Sequence, residues 1–136
     1  MKKRRDFIKT TLLVAGGIAV SSPLLAKGDK NCDFDGIVFS KKRQGIWGGK
    51  AQSHVPEVKI EGRKVILVTN HGMSEKHYIV RHTLVSEKGE FLGAKTFYPS
   101  DVKAESSYIL PVGFKGKVYA TSFCNKHDFW ITSFEV

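Results

Sequence analysis

The chain has 136 residues, a formal net charge of +9, five histidines and two cysteines. That length suits one small domain and no more. Apart from Lys41-Lys42-Arg43 the basic residues are scattered, which excludes the stripe of Lys and Arg with stacking aromatics that nucleic acid requires.

Residues 1–26 read as an export signal. A basic head, Lys2-Lys3-Arg4-Arg5, leads into an apolar run over 11–20 interrupted by Gly16-Gly17, and a small-residue exit ends at Ala26. The run is too short for a confident membrane span. An uncleaved anchor is the alternative. Arg4-Arg5-Asp6-Phe7-Ile8-Lys9 resembles the twin-arginine motif, which implies transport of an already folded, cofactor-loaded protein to the periplasm. The first 26 residues hold five of the 22 basic residues and one of the 13 acidic ones, which leaves 17 against 12 in the remainder. A modest positive field favours a small anionic substrate.

Residues 27–53 read as a polar lead-in and loop, with a short strand over 36–39 and a Lys-, Gly- and Gln-rich loop over 40–53. From His54 the pattern becomes β. Strands are expected over 58–60 and 64–69, separated by the hairpin turn Glu61-Gly62-Arg63. Residues 77–86 alternate, with His82 on the face opposite His77. Further strands follow over 91–98, 107–111, 117–123 and 130–134. Short strands at close spacing and almost no helical periodicity predict an all-β antiparallel sandwich for residues 54–136.

The chemistry lies in the histidines and cysteines. Cys124-Asn125-Lys126-His127 places a thiol and an imidazole three residues apart just past a strand, and His71 and His77 bracket a loop. His54 stands before Val55-Pro56 at the mouth of a strand, where the proline restricts the backbone. His82 is read as a packing or surface residue. Cys32 and Cys124 would form a disulfide by default outside the cytoplasm, but Cys124 has a better use as a ligand. Four imidazoles and one thiolate exceed the four ligands of a closed zinc site. They suit a redox metal with an open position, and both ligand types suit iron.

His54-Val55-Pro56, His71-x-Met73, Glu75-Lys76-His77-Tyr78-Ile79 and Cys124-Asn125-x-His127-x-x-Trp130 resemble the metal-binding segments of the superoxide reductases, neelaredoxin and the catalytic domain of desulfoferrodoxin. The resemblance runs from His54 to Trp130. It implies an immunoglobulin-like β-sandwich with one mononuclear iron, His54, His71, His77 and His127 equatorial and Cys124 axial. It also implies one-electron reduction of superoxide to hydrogen peroxide, with an external donor, a small redox protein, restoring the ferrous state. The likeness is to the one-iron form; whether the chain acts alone or as a homo-oligomer is left open.

Three departures bear on activity. The family carries Glu-Lys before His-Val-Pro, where the glutamate can occupy the sixth iron position and the lysine attracts superoxide; here Gln52 and Ser53 stand there. Asp128-Phe129 replaces the usual Gly-Leu, and Gly72 a common proline. Lys50, in a glycine-containing loop, is the first candidate to substitute for the missing lysine, with Lys76 and Lys126 as alternatives. The other functional class is an electron-transfer protein, or a binder of nitric oxide or peroxide, with weak reductase activity.

Overall fold

The computed structural model describes residues 34–136; the export segment and Cys32 lie outside them. The elements in chain order are β1 (Val38–Phe39), a 3-10 turn at Gly45–Trp47, α1 (Ala51–His54), β2 (Glu57–Glu61), β3 (Lys64–Thr69), β4 (Ile79–Ser86), β5 (Phe91–Thr96), β6 (Ala104–Ile109), β7 (Lys117–Cys124) and β8 (Asp128–Glu135). They form two sheets, of order β1-β8-β7-β4-β5 and β2-β3-β6. Every pairing is antiparallel except that of β1 with β8. The all-β sandwich is therefore as expected. No described helix is long and apolar enough to cross a membrane.

Period-two patterning explains the core. In β3, Val65 and Leu67 point inward; Leu84 of β4, Tyr108 of β6, and Val118 and Ala120 of β7 meet them. Fully burying one aliphatic side chain of this kind contributes about 1.5–3 kcal/mol. The close fit extends to backbone. A Cβ on Gly93 of β5 would stand 2.4 Å from the Tyr108 ring, so only glycine fits opposite that tyrosine.

Two features differ from the alternation read in the sequence. Ile79 and His82 are both buried although three residues apart. The register of β4 on β7 shifts between Ile79 and Arg81, so a bulge resets which residues face inward. His82, on the face it shares with Leu84, sits in the core between the sheets. Its Nε2 lies 2.9 Å from Thr69 Oγ1 and its Nδ1 2.8 Å from Ser106 Oγ, while Thr69 donates to Ser122 Oγ. These four side chains come from β3, β4, β6 and β7 and so tie one sheet to the other.

The second difference lies in the glycine-rich stretch read as a loop. It contains the 3-10 turn and α1, elements too short to leave a periodic signal. Val38–Phe39, within the segment read as lead-in, pairs with β8, and Phe39 packs against Trp130 at a ring separation of 5.6 Å. His54 is the last residue of α1 and does not open a strand. Pro56 forces Val55, at φ −69° and ψ 126°, out of the helical region, which ends the helix at His54.

Candidate metal centre

Three chain segments converge at one end of the sandwich. β3 ends at Thr69, and His71 N–H donates to the Thr69 carbonyl, turning the chain sharply. Ser74 and His77 then exchange backbone hydrogen bonds of 3.1 Å, and Ser74 Oγ donates to the His77 carbonyl. That closure brings His71 Nε2 to 3.1 Å from His77 Nε2.

The β7–β8 turn supplies Cys124 and His127. Asn125 links it to the His77 segment: its Oδ1 accepts from Tyr78 N–H at 3.0 Å and its Nδ2 donates to the Lys76 carbonyl. Trp130, wholly buried, donates its indole N–H to the His127 carbonyl at 2.7 Å. Beneath the imidazoles, Cys124 is free and buried against Ile79, Phe97 and Ala104. Lys126 N–H points at its sulfur from 3.5 Å.

The donor atoms of His54, His71, His77, Cys124 and His127 all lie within 4.8 Å of one another. His127 Nδ1 is 2.9 Å from His54 Nε2, 3.1 Å from His77 Nε2 and 3.7 Å from Cys124 Sγ. Side chains expected to converge do converge, and His82 stands apart from them. The protonation pattern is telling. His54 Nδ1–H donates to the Lys50 carbonyl at 3.0 Å, and His71 Nδ1–H to the Gly72 carbonyl. Their Nε2 atoms therefore carry lone pairs, aimed inward. Burial lowers the pKa of all four rings, that of His54 to about 4; neighbouring imidazoles add to the lowering at His54, His77 and His127, and the Lys50 charge adds to it at His71, His77 and His127. Neutral imidazoles with lone pairs converging at about 3 Å repel one another unless a cation sits among them. Two nitrogens held at right angles about 2.1 Å from one metal ion lie about 3 Å from each other, the separation of the neighbouring imidazoles here. The four-nitrogen, one-sulfur set thus fits a redox metal such as iron.

An open pocket of about 360 Å³ gives access from outside. Lys50, Ser53, His54, His71, Met73 and His77 are among its lining residues, and Cys124 is not. Lys50 is thus at the mouth, and its charge bears on His71, His77 and His127. Lys126 bears on His77 and His127. Ser53 Oγ is 2.8 Å from His54 Nδ1, whereas Gln52 faces a different groove beside β8. Trp47, unremarked in the sequence reading, lies edge-on to the His127 ring at 4.7 Å and bonds to Asp128. Only the unusual residue after His127 hinted at it.

Residues 47–133 match the desulfoferrodoxin family model. The chain belongs to the desulfoferrodoxin family. Solved structures agree with that membership. A one-iron superoxide reductase from Giardia intestinalis is 26% identical, with a TM-score of 0.56 over 62% of this chain and 99% of its own. A superoxide reductase from Treponema pallidum is 25% identical, with a TM-score of 0.50 over 60% of this chain and 66% of its own. A neelaredoxin from Ignicoccus hospitalis, 22% identical with a TM-score of 0.63 over 77% and 98%, shares the fold of this desulfoferrodoxin-family chain. No curated protein matches the chain by sequence.

Proposed function

We propose that this chain is a superoxide reductase whose iron is held by His54, His71, His77, His127 and Cys124. The observation that carries this reading is the convergence of five donor atoms within 4.8 Å of one another beneath an open pocket. Family membership and superoxide reductases among the solved structures support it. Iron held by these residues would supply, on passing from ferrous to ferric, the one electron that with two protons converts superoxide to hydrogen peroxide. The protein contributes the rest. The carbonyls of Lys50 and Gly72 hold His54 and His71 in the tautomer that directs Nε2 inward. Burial of Cys124 away from the pocket keeps its sulfur from solvent and from the approaching anion. Lys50 at the pocket mouth draws that anion in. Gln52 carries an amide in place of a carboxylate and lines another groove, so position 52 supplies no anionic group to the open side. A small redox protein is the expected source of the returning electron.

The test is pulse-generated superoxide mixed with the ferrous protein. Rapid oxidation with one peroxide formed per superoxide is the expected result; slow oxidation points to a carrier or small-ligand binder, and oxygen evolution to dismutation. Export to the periplasm is also part of this reading, supported by the Arg4-Arg5 motif and the short apolar run. Replacing Arg4 and Arg5 with lysine should retain the protein in the cytoplasm; unchanged fractionation would count against the twin-arginine route.

A further inference from the structure

Asp128 stands where the β7–β8 turn closes, and among the described residues it alone combines a side chain with a positive φ, 62°. That left-handed conformation suits glycine best and strains other residues, although Asp and Asn tolerate it better than most. The strain has a compensating contact. Asp128 Oδ2 accepts a hydrogen bond of 3.0 Å from the Trp47 indole N–H, across 81 residues of sequence. The same indole lies edge-on to His127 at 4.7 Å. It also packs on the cluster of Phe39, Ala51 and Trp130.

Trp47 in turn anchors the segment that follows it. Lys50 N–H donates to the Trp47 carbonyl at 3.0 Å, and the Lys50 carbonyl accepts from His54 Nδ1–H. Gln44 Oε1 completes the brace by accepting from the backbone N–H groups of Gly49 and Ala51. A continuous path of hydrogen bonds therefore runs from Asp128 through Trp47 and Lys50 to His54. Its two ends lie on the segments that carry His127 and His54.

We propose that Asp128 is a positioning residue: its carboxylate clamps the Trp47 indole against His127 and so ties residues 45–50 across the metal centre. The clamp holds the His127 ring from its outer side. It also sets the carbonyl that orients His54 and places Lys50 at the pocket. The inference rests on His54 and His127 being metal ligands.

Asp128→Gly separates this role from that of a turn residue, because glycine relaxes the backbone while removing the hydrogen bond. Trp130 is fully buried, so quenchable tryptophan emission reports Trp47. In iron-loaded D128G, acrylamide quenching should rise towards that of an exposed indole. Iron loss to a ferrous chelator should quicken roughly 10-fold, the scale of losing a ligand's supporting contact. Trp47→Phe should lose iron as fast, and the double variant no faster than either alone. Asp128→Asn, which keeps the acceptor and tolerates the backbone, should behave as the parent. Parental quenching and iron retention in D128G would overturn the proposal, as would an Asp128→Asn variant indistinguishable from D128G. A protein that takes up no iron but whose indole is freed by D128G would defeat the ligand assignment while supporting the clamp.

Discussion

His54 Nε2 and His127 Nδ1 lie 2.9 Å apart although 73 residues separate them in the chain. One imidazole comes from the end of α1, the other from the β7–β8 turn, and they turn opposite nitrogens inward. Both inward nitrogens depend on partners outside the ring of donors. The Lys50 carbonyl takes the outer N–H of His54, and Trp47 and the Trp130 indole N–H brace the His127 segment. Such support orients a ligand before metal arrives and lowers the entropy lost on binding.

Cys124→Ser tests whether the thiolate would be one of the metal's ligands. The sulfur is buried in an apolar cluster and serine is nearly isosteric, so the fold should survive. The ferric protein should lose its visible thiolate-to-iron charge-transfer absorption. Persistence of that band would remove Cys124 from the donor set.

Lys50→Met tests the source of positive charge at the pocket mouth. The second-order rate of the ferrous protein with superoxide should fall about 3- to 10-fold, and its salt dependence should weaken. Stopped-flow traces at several ionic strengths measure both. An unchanged rate and salt slope would leave Lys50 a solvated lysine and shift attention to Lys126.

Acid should destabilise the fold through His82. Burial holds its folded-state pKa at about 4, against 6.5 for an unperturbed ring, with Lys95 adding to the shift. The unfolded chain binds the proton first as pH falls, so stability is complete above 6.5 and declines between 6.5 and about 4. The loss from this one group reaches about 3 kcal/mol. Urea midpoints from pH 7 to 4.5 should show it, and His82→Gln should narrow the gap between the two ends. An equally steep decline in the variant would assign the acid sensitivity elsewhere.

Gly93→Ala tests the packing of β5 on β6. The added methyl would meet the Tyr108 ring at 2.4 Å, and neighbouring strands leave the ring little room to retreat. The expected cost is about 1–3 kcal/mol in urea unfolding, the usual range for overpacking. A variant as stable as the parent would show that the tyrosine moves freely.

Much of this molecule was legible in its residues. β-branched runs and turn residues marked β3 and the β2–β3 hairpin, because a half-buried strand writes its period directly into the sequence. The five donors were identifiable by chemical type, a feature that belongs to each residue alone. Other matters depended on tertiary structure. The bulge between Ile79 and Arg81 decided that Ile79 faces the core together with His82, and alternation carries no mark of an inserted residue. The one-turn helix ending at His54 is held by its packing and by Pro56 more than by propensity. Gln52 faces away from the centre while Lys50 borders it, and neither direction follows from their spacing to His54. The bond between Trp47 and Asp128 spans 81 residues, so no local pattern encodes it. The chain alone determined which atoms could bind a metal. Only the folded sandwich decided which nitrogen each ring turns inward and what holds it there, because those choices are made by carbonyls, indoles and carboxylates brought from distant segments.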